Sequence, residues 1–158
     1  MNNTLICFFS ASSNKITKQV AEKLAKIIQG DLFEIEPKEI YTEKDLDWTN
    51  NESRSSIEMQ NKNSRPGIKN KINNLDNYNK VIIGFPIWWY TAPTIINTFL
   101  EENNLEGKDI YIFITSGSST DKGIIDDLKE TYPKLNYISS KRFTKEDQED
   151  SYLEWIRE

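Results

Sequence analysis

Three stretches of the chain are apolar almost without interruption: Leu5-Ile6-Cys7-Phe8-Phe9 after Thr4, Val81-Ile82-Ile83, and Ile110-Tyr111-Ile112-Phe113-Ile114 between Asp109 and Thr115. A strand with one wet face alternates polar and apolar residues, so runs of this kind must be covered on both faces. Between them, apolar residues recur at helical spacing: Ile16, Val20, Ala21, Leu24, Ile27 and Ile28, then Ile95, Ile96, Phe99 and Leu100, then Ile124, Ile125, Leu128 and Tyr132. Each set forms one stripe of a helix. Asp31-Leu32-Phe33-Glu34-Ile35-Glu36 alternates and stops at Pro37, as a more exposed second strand would; Tyr137-Ile138 offers a short last one. The order is β-α-β, a long region, then β-α-β-α-β-α. It predicts an α/β fold of three layers: a five-stranded parallel sheet in the order 2-1-3-4-5 with helices on both faces. At 158 residues a single domain, 1–158, is expected.

The breakers supply finer expectations. Gly30 is placed to end the first helix in a left-handed conformation, and Gly84 and Pro86 to stop the third strand. Pro93 opens the next helix; Asp121 caps the one after, which Pro133 closes. Thr144 with Asp147 resembles a capping box, ahead of a final helix that buries Tyr152, Trp155 and Ile156. Residues 38–79 are rich in Asn, Lys, Ser and Glu and have little periodicity. A structureless loop of that length is uncommon inside a compact domain. The region is therefore expected to be irregular and partly helical, pinned by Trp48, Ile57, Met59 and the Arg65-Pro66-Gly67 turn, with a short helix carrying Ile68, Ile72 and Leu75.

Composition removes whole classes of function. With 20 basic against 25 acidic residues the net charge is −5, which disfavours nucleic acid as a partner. No run approaches the roughly 18 apolar residues of a membrane span. Met1-Asn2-Asn3-Thr4 does not begin a secretion signal, so a cytoplasmic protein is expected. Histidine is absent, which eliminates Ser-His-Asp and Cys-His catalysis and the commonest metal ligand. The single Cys7 falls inside a strand and reads as a buried structural thiol. No group has metal-ligand spacing. A bound cofactor is left to carry any chemistry.

The loops at the carboxyl ends of the strands say what that cofactor resembles. Ser10-Ala11-Ser12-Ser13-Asn14-Lys15 joins the first strand to the first helix. Exposed amides and the positive end of a helix dipole make that position an anion site; Ser10, Ser12, Asn14 and Thr17 add side-chain donors. The third strand runs into Pro86-Ile87-Trp88-Trp89-Tyr90, and three large aromatics in one turn suit a flat, conjugated ligand. Thr115-Ser116-Gly117-Ser118 would flank the same crevice, which the strand order places at its switch point. Neither G-x-G-x-x-G nor G-x-x-x-x-G-K-[ST] is present, against dinucleotide and P-loop folds. A receiver domain needs acidic residues where this chain has serines.

The chain resembles the small bacterial flavodoxins. The likeness rests on Phe8-Phe9-Ser10-Ala11-Ser12 through Thr17 and Val20-Ala21-Glu22, on Phe85-Pro86-Ile87-Trp88-Trp89-Tyr90-Thr91-Ala92-Pro93, and on Thr115-Ser116-Gly117. Leu46-Asp47-Trp48 to Arg54, Glu58 and Arg65-Pro66 are similar too. The resemblance implies a flavodoxin-like fold with non-covalent FMN. Its phosphate would lie on Ser10, Ser12, Asn14, Lys15, Ile16 and Thr17, and its isoalloxazine between Pro86, Ile87, Trp88, Trp89 and Tyr90 on one side and Thr115, Ser116, Gly117 and Ser118 on the other. The family's first loop usually reads Ser-x-Thr-Gly-Asn-Thr. This one has two extra residues and no glycine, which leaves Asn14 to take the left-handed conformation and Lys15 to add charge opposite the phosphate. Neither a catalytic side chain nor a metal is implied. The expected role is electron carrier between redox partner proteins, as a monomer or weak dimer. The alternative is an FMN-dependent NAD(P)H oxidoreductase acting on quinone-like acceptors, and a third is a binding module that has lost its cofactor.

Overall fold

A computed structural model of the protein describes residues 3–12 and 14–157; Met1, Asn2, Ser13 and Glu158 lie outside the described residues, and with them one serine of the hydroxyl-rich loop and the start of the N-terminal segment. The chain runs β1 (Thr4–Phe8), α1 (Ile16–Ile28), β2 (Asp31–Glu34), α2 (Arg54–Gln60), β3 (Lys80–Pro86), α3 (Thr94–Glu102), β4 (Asp109–Thr115), α4 (Ile124–Thr131), β5 (Asn136–Arg142) and α5 (Glu149–Ile156). The strands form one sheet in the order β2-β1-β3-β4-β5, every pairing parallel. No helix among the described residues is long and apolar enough to cross a membrane.

The uninterrupted apolar runs have the reason expected of them. Successive side chains of a strand point to opposite faces, and both faces are buried. On one, Leu5, Cys7, Val81, Ile83, Phe85, Ile110, Ile112 and Ile114 pack with Ile95, Ile96 and Phe99 of α3 and Ile124 and Leu128 of α4. On the other, Ile6, Phe8, Ile82, Tyr111 and Phe113 pack with Val20, Ala21 and Leu24 of α1 and Tyr152 and Trp155 of α5. Cys7 is fully buried, and burial pushes its thiol pKa up, which suppresses the reactive thiolate.

Gly84 does not end β3; the strand continues through it to Pro86. The glycine is required by a close approach. It pairs in register with Phe113, and a β-carbon on it would lie 1.9 Å from Phe113 Cζ. The Phe113 ring therefore occupies the space a side chain at 84 would need.

Several local expectations are corrected. The left-handed end of α1 is Gln29, with φ 56°, not Gly30. Gly30 serves closeness instead: a β-carbon there would sit 3.2 Å from the Thr4 carbonyl. Asp121 does not cap α4. Gly123 does so with φ 87°, while the Asp121 carboxylate accepts a hydrogen bond from Ser140 Oγ at 2.6 Å. Thr144 and Asp147 do bond to one another, Thr144 N–H donating to Asp147 Oδ2 at 2.7 Å, but α5 begins later, behind Gln148. β5 is seven residues long rather than a short segment.

The 38–79 region lies along the β2 edge. Lys38 N–H donates to the Gly67 carbonyl at 2.9 Å and Lys69 N–H to Glu36 at 2.7 Å, closing an antiparallel bridge between Pro37 and Ile68. The Asn70 amide donates to the Glu34 carbonyl at 2.7 Å. These bonds cover an edge that would otherwise expose unpaired backbone. The apolar pins are Tyr41 and Ile68, both buried, whereas Trp48 and Ile57 are 73% and 55% exposed and pin nothing. Leu75 starts only a single 3-10 turn, Leu75–Asn77, in place of the expected short helix.

Candidate functional site

Three loops meet above the carboxyl ends of β1, β3 and β4, and Thr115 is where they are joined. Its hydroxyl lies 2.6 Å from the hydroxyl of Thr17, in the first turn of α1, and both residues are buried. Its carbonyl accepts Ile87 N–H from the second loop at 3.1 Å. Below the first and second loops β1 and β3 are bonded to one another, Phe9 N–H donating to the Gly84 carbonyl at 2.9 Å.

Among the described residues of the first loop the left-handed one is Lys15 (φ 50°), not Asn14. Lys15 sits immediately before α1, so a tight entry into the helix decides which residue takes the unusual dihedral, over the better intrinsic tolerance of Asn. Asn14 is held by its neighbours: its Oδ1 accepts from Ser12 Oγ at 2.6 Å and its carbonyl from Gln19 Nε2 at 2.8 Å. The α1 N-terminus has no side-chain cap from Lys15. Lys18 N–H reaches Ser10 Oγ at 3.4 Å, while the N–H groups of Ile16 and Thr17 find no acceptor among the described residues. Donors without an acceptor among the described residues, at the positive end of a 13-residue helix, suit an anion. Ser12, Asn14 and Lys15 are exposed; Thr17 reaches the site through Thr115 rather than as a free hydroxyl.

The second loop is a tight turn of unusual dihedrals. Trp88 and Thr91 exchange both backbone hydrogen bonds at 3.0 Å, and the two residues between them, Trp89 and Tyr90, have φ 48° and 66°. Two consecutive left-handed residues define the type I′ turn that Asn and Gly normally supply. Here both carry large rings, which marks stored backbone strain. The rings are not equivalent. Trp88 is half-buried and packs edge-on against Phe9 and Tyr41, centroids 5.7 and 5.4 Å away. Trp89 is 44% and Tyr90 83% exposed. Pro86 and Ile87 are half-buried beneath them.

Tyr41, absent from the sequence reading, completes the aromatic wall. The guanidinium of Arg54 lies 3.7 Å over its ring, Arg54 Nε donates to Glu58 Oε2 at 3.0 Å, and the Tyr41 hydroxyl donates to Glu58 Oε1 at 2.5 Å. Burial, reinforced by the adjacent Glu58 carboxylate, pushes the Tyr41 pKa up. Phe9, Ser10, Lys15, Tyr41, Glu36 and Lys69 contribute to a cleft of about 190 Å³ beside the first loop.

The third loop is held from below by Arg142, also missed in the sequence. Its Nε donates to Ser116 Oγ at 3.0 Å, and its Nη2 to the carbonyls of Ser116 and Gly117 at 2.9 and 3.1 Å. Ser116 Oγ in turn donates to the Ser119 carbonyl. Gly117 and Ser118 are exposed at the crevice.

The sequence profile described as flavodoxin matches residues 3–158. Comparison with curated protein sequences produces no match. Among solved structures, a protein of Bacteroides eggerthii provisionally described as a flavoprotein is 42% identical over 99% of this chain and 97% of its own, with a TM-score of 0.94. A Bacteroides uniformis protein with the same provisional description is 38% identical over 99% of each chain, with a TM-score of 0.91. A flavoprotein of Lactobacillus acidophilus, solved in complex with FMN, is 26% identical over 99% of each chain, with a TM-score of 0.75.

Proposed function

The chain belongs to the flavodoxin family, and on that premise we propose that it binds FMN across the three loops and carries electrons between redox proteins. One observation supports this above the others: hydroxyl loop, aromatic turn and third loop are tied together through Thr115, so an anion site and a ring site share one crevice. The donor set fits FMN. The amides of Ile16 and Thr17, which have no acceptor among the described residues, match a phosphate with Lys15 beside them. The aromatic turn matches a flat ring system. The Lactobacillus flavoprotein complex with FMN supports the same ligand.

When bound, FMN supplies a ring that accepts and returns electrons. The α1 terminus offsets the charge of the phosphate, the Trp88, Phe9 and Tyr41 wall excludes water, and the third loop offers amide donors to the ring's polar edge. Exposed Trp89 and Tyr90 leave the mouth of the crevice accessible to another protein. The cleft beside the first loop favours the alternative, direct use of NAD(P)H with a quinone-like acceptor. Its volume is about 190 Å³; the carrier reading is preferred because exposed Trp89 and Tyr90 present the mouth of the crevice to a partner protein.

The test is the visible spectrum of the purified protein before and after FMN, followed by NADPH with and without a quinone. Tight flavin binding with quenched tryptophan emission, and negligible NADPH oxidation until a partner reductase is added, is expected. Saturable turnover of NADPH with a quinone alone refutes the carrier role. Failure to bind FMN leaves the binding-module reading.

A further inference from the structure

The carbonyls of the third loop are gathered towards one cation. Arg142 takes Ser116 O and Gly117 O directly, and through the hydroxyl of Ser116 it fixes Ser119 O as well. A peptide group is planar and trans, so its N–H points opposite to its C=O. Pinning the carbonyls of Ser116 and Gly117 towards Arg142 therefore turns the N–H groups of Gly117 and Ser118 away from it. Neither N–H has an acceptor among the described residues. Gly117 meets nothing within 4 Å of a built β-carbon, so the loop is not held by packing at that position. Register puts Arg142 opposite Ile114, with Phe143 N–H on the Ile114 carbonyl at 2.9 Å. The strand therefore delivers the guanidinium directly beneath the loop. Among the described residues Arg142 forms no ion pair, so its charge is directed at the loop.

We infer that Arg142 is the positioning residue of the third loop, aiming the amides of Gly117 and Ser118 at the polar edge of the bound ring and setting a fixed positive charge behind them. The inference rests on FMN binding as proposed above and deepens it. Adding two electrons and one proton to the neutral ring leaves one negative charge, and a nearby cation favours that charged form. Arg142 thus fixes the amides that hold the ring and raises the potential of its full reduction.

Fork and charge are separable. Arg142→Lys keeps the charge but loses the planar fork; Arg142→Gln loses the charge as well. Affinities of wild type and both variants for FMN and for riboflavin are measured by tryptophan quenching, potentials by dithionite titration against reference dyes, and the Gly117 and Ser118 amide resonances in the apoproteins. Expected are altered amide resonances in both variants and roughly tenfold weaker binding. The loss should be equal for FMN and riboflavin, because the phosphate binds elsewhere. The potential should fall in Arg142→Gln and stay near wild type in Arg142→Lys. Ser116→Ala, which removes the relay and leaves the strand untouched, should weaken both ligands in the same direction if either arginine variant fails to fold. Unchanged amides or unchanged affinity with a wild type that binds FMN overturns the inference alone. A loss confined to FMN moves Arg142 to the phosphate and also overturns it. A wild type that binds neither flavin overturns the proposed function, and the inference with it.

Discussion

Replacing Tyr90 with glycine should make the apoprotein more stable and the flavin complex weaker. The residue has φ 66° in a turn that needs left-handed residues at both central positions. A residue with a β-carbon gives up about 1 to 2 kcal/mol in that conformation. Glycine avoids the clash but loses about 0.4 to 1 kcal/mol through its freer unfolded chain. The ring is 83% exposed, so little burial is forfeited. The balance runs from about zero to a gain of about 1.6 kcal/mol, or up to about 6 °C in Tm for a domain of this size. If the tyrosine stacks on the ligand, its removal costs about 0.5 to 1.5 kcal/mol of binding, a loss of about 2- to 12-fold in affinity. Urea unfolding of the apoprotein and FMN titration by fluorescence read the two effects separately. Lower apoprotein stability refutes the strain argument. Higher stability with unchanged FMN affinity shows that Tyr90 does not touch the ligand. Trp89 is a less clean target, because more than half of it is covered and truncation loses packing too.

Gly84→Ala should destabilise the fold by about 1 to 3 kcal/mol or more, since its β-carbon meets Phe113 Cζ at 1.9 Å; adding Phe113→Leu should recover part of the loss in urea midpoints, and strict additivity would refute the clash. Tyr152 is buried with a hydroxyl that lacks a partner among the described residues, so Tyr152→Phe should be neutral to stabilising by about 1 kcal/mol in thermal melts; a clear loss of stability would reveal a missed bond. Burial pushes the hydroxyls of Tyr137 and Tyr152 from 10 up to about 12. Their protons are held more tightly folded than unfolded, so their contribution is complete below about pH 10 and lost as pH rises from about 10 to 12. Urea midpoints should be nearly level through neutral pH, where no histidine titrates, and drop across that alkaline window. Full stability at about pH 12 would contradict this.

Sheet order and crevice were legible because burial on both faces leaves a chemical trace: uninterrupted apolar runs mean parallel strands, and strand order then fixes which loops meet. Arg142 was not, because β5 reads Asn136-Tyr137-Ile138-Ser139-Ser140-Lys141-Arg142, a half-buried edge strand without an apolar run. Only its register with β4 extends it to Arg142 and under the third loop. The Asn14 expectation failed because intrinsic tolerance of a dihedral is a weak preference, overruled by where α1 begins. Trp48 and Tyr41 exchanged roles for a similar reason. In a segment without periodicity, hydrophobicity does not say which ring turns inward, and Tyr41 does so because Arg54, Glu58, Phe9 and Trp88 surround it.

The bond between Thr17 and Thr115 spans 98 residues of chain. Closing a loop of that length costs roughly 4 kcal/mol of chain entropy, and no stretch that stops short of β4 contains both hydroxyls. The crevice is thus absent from any partly folded state in which β4 has yet to dock on β3. A ligand recognising the joined loops has nothing to bind before that step. It cannot template early folding and should leave the refolding rate unchanged. Its grip is exerted afterwards, by slowing the undocking of β4 and so lengthening the lifetime of the native state.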